Sequence, residues 1–217
     1  MRIEKLQYIT QETDTHSHID CVREACIAGV RWIQLRVKDK SQEEYLTIAK
    51  EARIICNLYD AKLIINDNVE VAKLSGANGV HLGKKDTHPV AAREELGGES
   101  IIGGTANTLE DITTLMDYVD YIGLGPYKFT TSKENLSPVL GVEGYQKIIE
   151  QLKLICSLND LPIIAVGGIE YSNIHVLLDT AVYGVAVSGL ITRDFTISEK
   201  LIAILNKGTT VEKLTIN

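Results

Sequence analysis

The chain lacks any apolar run approaching the roughly 18 consecutive residues of a membrane span, which excludes an α-helical membrane anchor as the organising feature. Its first ten residues, Met1 to Thr10, place Arg2, Glu4 and Lys5 around a short apolar stretch with no signal-peptide core, so a cytoplasmic location and no membrane partner are expected. Cysteine is scarce and unpatterned. Cys21, Cys26, Cys56 and Cys156 show no CxxC spacing and sit in amphipathic stretches, which argues against a disulfide frame or a zinc site and for reduced, half-buried packing residues. Positive charge is in deficit: 22 Lys plus Arg against 29 Asp plus Glu leave a net charge of −7, a poor footprint for nucleic acid. Any anionic small molecule must therefore be held by local groups. No Pro/Ser-rich linker or low-complexity segment divides the sequence, and no Ser/His/Asp or Cys/His constellation suggests a side-chain nucleophile. With 45% hydrophobic and 24% charged residues, 217 residues read as one globular domain covering 1–217.

What is present is alternation. Eight short β-rich runs are each followed by a helical pattern: Leu6 to Ile9, Trp32 to Val37, Lys62 to Asn66, Gly79 to Leu82, Ser100 to Gly104, Tyr121 to Gly125, Pro162 to Val166 and Gly184 to Val187. Most are continuously apolar, as parallel strands buried on both faces must be. Ser41 with Glu44, and Thr108 with Asp111, read as helix starts. After the first, Leu46, Ala49, Ala52, Ile55 and Leu58 form a stripe expected to face a sheet, leaving Glu43, Lys50 and Arg53 in water. Eight βα units predict a closed (β/α)8 barrel, with its active site at the C-terminal strand ends. A doubly wound sheet would show a Gly-rich turn after its first strand, where this chain has Thr10-Gln11-Glu12.

The strand ends carry the chemistry. After strand two, alternation predicts Gln34, Arg36 and Lys38 on one face, unless the two cations merely form a salt-bridged rim. Asp67 and Asp86 end neighbouring strands three and four and form the one acidic pair so placed, suited to Mg2+. Their structural alternatives are a helix N-cap and a turn residue. His81 is expected in the barrel interior. Strand five leads to Thr105, and strand six to the longest connection, Gly125 to Lys133, rich in hydroxyls and holding two lysines, as lids often are. Gly167-Gly168 and Ser188-Gly189 close strands seven and eight, where barrels often bind phosphate. One phosphate site and a separate cluster of Arg36, Lys38, Lys133 and two carboxylates, fit for pyrophosphate and Mg2+, indicate an enzyme of phosphorylated small molecules.

In register, Gln34-Leu35-Arg36-Val37-Lys38, Asn66-Asp67, His81-Leu82-Gly83 with Asp86, Gly125-Pro126 with Thr130 to Lys133, and Gly167-Gly168-Ile169 resemble thiamine phosphate synthases over nearly the whole chain. The resemblance implies Mg2+-dependent coupling of hydroxymethylpyrimidine diphosphate to a thiazole phosphate, giving thiamine phosphate and pyrophosphate. It implies that Gln34, Leu35, Arg36, Val37, Lys38, Asn66, Thr105 and Lys133 meet the pyrimidine diphosphate, with Arg36, Lys38 and Lys133 acting on the leaving group. Thr130, Thr131, Ser132, Gly168, Ser188 and Gly189 would hold the thiazole phosphate, and Asp67 and Asp86 the metal. Thr105 stands for a usual serine, Asn107 for a histidine, Lys84 for a glutamine and Phe129 for a proline, and the order of Ser188 and Gly189 is unusual for the family. Two other readings are a thiazole tautomerase, which handles no diphosphate and looks to use a histidine where Asn107 stands, and a non-catalytic ligand sensor. The partners expected are small molecules. The sequence leaves open a homo-oligomer and a carboxylated form of the thiazole substrate.

Overall fold

The computed structural model describes residues 3–130, 137–155 and 161–207. Eight parallel strands, β1 (Leu6–Ile9), β2 (Trp32–Leu35), β3 (Lys62–Asn66), β4 (Gly79–Leu82), β5 (Ile101–Ala106), β6 (Tyr121–Leu124), β7 (Ile163–Val166) and β8 (Gly184–Val187), close into a barrel in sequence order. Leu6, Gln7 and Tyr8 of β1 pair with Val185, Ala186 and Val187 of β8 and seal the ring. The helices between them are α1 (His18–Ile27), α2 (Gln42–Leu58), α3 (Val69–Ser75), α4 (Pro89–Leu96), α5 (Leu109–Leu115), α6 (Gly141–Lys153) and α7 (Ile174–Asp179), followed after β8 by α8 (Gly189–Arg193) and α9 (Ile197–Lys207). Among the described residues, no helix is long and apolar enough to cross a membrane.

Side-chain alternation along the strands makes two cores. Leu63 and Ile65 point outward into the layer between barrel and helices, while Ile64 points inward with Trp32, Ile101, Tyr121 and Ile164. Trp32 and Tyr121 meet edge to face at 4.8 Å inside the barrel. Cys21, Cys26 and Cys56 are free and fully buried in the outer core, more deeply than expected; Cys156 lies outside the described residues.

Both expected helix starts are capping boxes: Ser41 with Glu44 opens α2, and Thr108 with Asp111 opens α5. The stripe on α2 departs from expectation at its end. Steps of three fall short of the 3.6-residue turn, so the stripe drifts around the helix; Leu58 is 77% exposed, and Cys56 and Tyr45 complete the buried face. Arg53 is half-buried and donates to Asn78 Oδ1 at 2.6 Å.

Helix tyrosines tie the outer layer to the strand ends. Tyr45 on α2 donates its hydroxyl to Leu35 O at 2.8 Å and Asn66 O at 3.1 Å, where β2 and β3 stop. Tyr145 on α6 bonds Leu124 O and accepts from Val166 N, joining the ends of β6 and β7. These carbonyls face the mouth of the barrel, so their bonding sets where the loops depart. Tyr45→Phe should lower stability by about 1–2 kcal/mol, since a buried acceptor loses its donor. Urea unfolding with parent-like stability would show that water replaces the hydroxyl there.

Candidate active site

All eight strands deliver residues to one cavity of about 1310 Å3 at the C-terminal end of the barrel, among them Gln7, Gln34, Asn66, His81, Thr105, Gly123, Val166 and Ala186. β2 ends at Leu35, two residues earlier than expected, and this redirects the chain. Gln34 and Arg36 line the cavity, but the alternation does not continue and Lys38 does not line it. Leu35 is buried in the outer core and Val37 packs against that core, so neither side chain reaches the cavity. β5 runs to Ala106 rather than Gly104, which keeps Thr105 within the strand and aimed inward.

The acidic pair is assembled as the strand ends suggested. Asn68, not Asp67, caps α3, its Oδ1 accepting from Val71 N at 2.9 Å. Asp67 stands before the cap with φ 65°, its amide donating to His81 O at 2.8 Å. That left-handed backbone, uncommon for a non-glycine residue, turns its side chain to the cavity. Asp86 also serves its turn, accepting from Gly83 N at 2.6 Å. The two carboxyl groups lie close enough to interact. Burial and this contact with Asp86 push the Asp67 carboxyl up to about 7, against the pull of Arg36 and Asn66. A carboxyl this close to a second one holds its proton more tightly unless a cation joins the two. Two oxygen donors fit a hard, strongly hydrated divalent ion that completes its shell with water and phosphate oxygens. Among the described residues, no group of three or more His, Cys, Asp and Glu is placed to hold a metal unaided.

The departures from the family pattern have structural work of their own. Lys84 bridges to Asp111 Oδ2 at 2.6 Å, linking the β4 loop to the capping box of α5. Asn107 donates Nδ2–H to Gly125 O and accepts from Ser137 Oγ at 2.8 Å, so it holds both stems of the long connection. The first stem is also zipped to β7: Tyr127 N donates to Val166 O and Lys128 N to Gly167 O, both at 2.9 Å. Phe129 is 73% exposed beside the cavity, and Thr130 lines it. Thr131, Ser132 and Lys133 lie outside the described residues.

Across the cavity, Gly168, Ser188 and Gly189 come together. Gly168 has φ 65°, and a Cβ there would lie 2.7 Å from Phe129 O, so glycine is required by backbone and by space alike. Ser188 Oγ donates to Gln11 Oε1 at 3.2 Å, and Arg193 Nη2 pairs with both Glu170 carboxylate oxygens at 2.7 and 2.8 Å. Gly168→Ala should therefore raise the KM for a phosphorylated substrate at this pole well above the effect of Ser188→Ala. Steady-state kinetics checks the order; equal small effects would separate Gly168 from the anion.

Sequence reasoning missed Gln7, Gln11, Lys128 and Arg193, all of which line this cavity. Gln7 had a signal: it is the polar residue inside the otherwise apolar run Leu6 to Ile9. Gln11, Lys128 and Arg193 lie beyond strand ends, where period-two arguments stop.

The model of the family described as thiamine monophosphate synthase matches residues 6–191. A thiamine-phosphate synthase of Flavobacterium psychrophilum is 47% identical over 190 residues, covering 87% of this chain and 91% of the relative. Another, of Phocaeicola vulgatus, is 49% identical over 192 residues, covering 87% and 90%. Among solved structures, a thiamine phosphate pyrophosphorylase from Pyrococcus furiosus superposes with a TM-score of 0.80 at 31% identity, covering 94% of this chain and 96% of that one. With that match spanning all eight strands and the cavity they enclose, the chain belongs to the thiamine monophosphate synthase family.

Proposed function

We propose that this cavity couples hydroxymethylpyrimidine diphosphate to hydroxyethylthiazole phosphate, or its carboxylated form, releasing thiamine phosphate and pyrophosphate. The observation that carries the reading is the cavity's two poles: an acid pair beside Arg36 at β2 to β4, and a glycine-lined turn at β7 and β8. The first suits a diphosphate with its cation, the second a monophosphate.

Asp67 and Asp86 would hold Mg2+, which when bound supplies charge neutralisation for the diphosphate. Arg36 adds a fixed positive charge at the same pole, as Lys133 would from the long connection. The C–O bond to the diphosphate breaks with its electron pair leaving on oxygen, and the electron-rich aminopyrimidine stabilises the benzylic-type cation that remains. The thiazole nitrogen then donates its lone pair to that carbon and forms the new C–N bond. Gly168, Ser188 and Gly189 would anchor the thiazole phosphate so that the nitrogen is already oriented. Phe129 and the stems tied by Asn107 stand where a cover over the cation would exclude water. Small-molecule substrates and a cytoplasmic setting complete the reading. Incubating the purified protein with both substrates and Mg2+ should yield thiamine phosphate and pyrophosphate in equal amounts. Pyrophosphate without thiamine phosphate, or neither, would overturn it.

A further inference from the structure

Below the acid pair, five inward-facing polar side chains form an unbroken chain across the barrel. Gln34 donates Nε2–H to Gln7 Oε1 at 3.1 Å, and Gln7 donates Nε2–H to the phenolic oxygen of Tyr121 at 3.2 Å. That oxygen lies 3.1 Å from His81 Nδ1, and His81 Nε2 lies 3.0 Å from Thr105 Oγ1. Gln7, Gln34 and Tyr121 are all buried. The imidazole stacks on the Tyr121 ring at 5.4 Å between centroids, and two glycines make the room. A Cβ on Gly103 would fall 2.5 Å from His81 Nδ1 and 2.2 Å from Tyr121 Cζ; one on Gly123 would fall 2.9 Å from His81 Cε1. Three neighbouring strands thus give up side-chain volume, or supply it, to hold one ring in one orientation.

The chain has a direction. Tyr121 accepts from Gln7, which leaves its single hydrogen available to His81 Nδ1; burial holds the phenol far above its ordinary pKa and keeps that hydrogen on the oxygen. A neutral imidazole that accepts at Nδ1 carries its proton on Nε2, and that proton points at Thr105 Oγ1. Thr105 then accepts from the imidazole, keeps its own hydrogen for another partner, and lines the cavity. A hydroxyl with its hydrogen turned to the cavity suits an anionic oxygen.

We propose that Gln7, Tyr121 and His81 are positioning residues that fix the Thr105 hydroxyl as a donor to an oxygen of the diphosphate substrate. The substrate half of this statement rests on the function proposed above.

The test begins without substrate. In protein labelled with 15N-histidine, His81, assigned by its loss in His81→Gln, should show a protonated Nε2 and an unprotonated Nδ1, and Tyr121→Phe should mix the two tautomers. A wild-type His81 protonated on Nδ1 would overturn the proposal, because Thr105 would then give its hydrogen to His81 Nε2 and have none to offer the substrate. In kinetics, Tyr121→Phe should lower kcat about tenfold, the loss expected for one hydrogen bond, and leave the KM for thiazole phosphate unchanged. Thr105→Ser should keep most activity. In a Thr105→Val background, Tyr121→Phe should cost nothing further; independent losses from the two changes would overturn the positioning role. The tautomer is read on the free protein, so absence of coupling activity would count against the functional reading alone.

Discussion

Asp67→Asn is expected to remove most of the turnover while leaving the metal-free protein more stable above neutral pH than its parent. The loss of turnover follows from halving a two-oxygen cation site: about 10² to 10³ in kcat, the scale of one lost charge-stabilising contact in a transition state. The gain in stability follows from the carboxyl's environment. Its ordinary pKa of 3.8 is raised to about 7 in the folded chain, by burial first and then by Asp86. Between those values the folded state keeps a proton that the unfolded state has lost. The acid pair thus lowers stability increasingly as pH rises from about 4, with the full effect above 7. Asparagine has no proton to lose, so that pH dependence should flatten. Asp67 is exposed to the cavity, so solvent screens the effect and a gain of no more than about 1 kcal/mol is expected. Thermal unfolding from pH 5 to 8 without divalent ions reads the slope. Mg2+ should bind the parent more tightly as pH rises through 7, with proton release measurable by calorimetry in buffers of different ionisation enthalpy. A parent protein whose stability is flat with pH, or Mg2+ binding with no proton release, would separate Asp67 from the metal.

The parts of this structure that were legible in advance share a physical cause. A parallel strand buried on both faces must be apolar throughout, so the eight runs could be found; six begin where the strands do, and the other two, at Ser100 and Pro162, begin one residue before Ile101 and Ile163. Asp67 and Asp86 could be found because they follow neighbouring strands, Asp67 directly after β3 and Asp86 four residues after β4. The capping boxes at Ser41 and Thr108 are local motifs and needed no tertiary knowledge. What was hidden depends on tertiary closure. Alternation correctly aims Gln34 and Arg36, but only while the chain remains extended. After Leu35, Thr10 takes over: its Oγ1 accepts from Arg36 N at 3.1 Å, and its own amide donates to Gln34 O at 2.9 Å. β2 ends there, and Lys38 does not line the cavity. Tyr121 looked like the apolar start of a strand. Its hydroxyl matters because Gln7 and His81, distant in sequence, meet it inside the closed barrel. Asn107 looked like the loss of a histidine, and only the fold shows it joining Gly125 to Ser137.

Arg36→Met is expected to be the second large loss, and it divides charge from geometry when read beside Arg36→Lys. Arg36 lines the cavity at the pole proposed for the diphosphate, and its positive charge is one of the two influences that lower the Asp67 pKa. A guanidinium supplies forked, always-charged donors that match phosphate oxygens, whereas an ammonium supplies only a point charge. The leaving diphosphate gains negative charge as its C–O bond breaks, so a contact made there should fall mainly on kcat rather than on substrate binding. Arg36→Met should lower kcat by about 10² to 10³, with the KM for thiazole phosphate nearly unchanged because the site proposed for that anion is at the opposite pole. Arg36→Lys should lie between, recovering the charge but not the fork. The methionine variant should also move proton release from Asp67 to higher pH, since the remaining cause that lowers its pKa is the hydrogen bond from Asn66. Mg2+ dependence should then shift to higher pH in the same variant. Single-turnover formation of thiamine phosphate, followed across pH at saturating thiazole phosphate, measures both effects at once. A methionine variant with the parent's rate would make Arg36 a rim charge, and a rate loss with no shift in the pH profile would break its link to the acid pair.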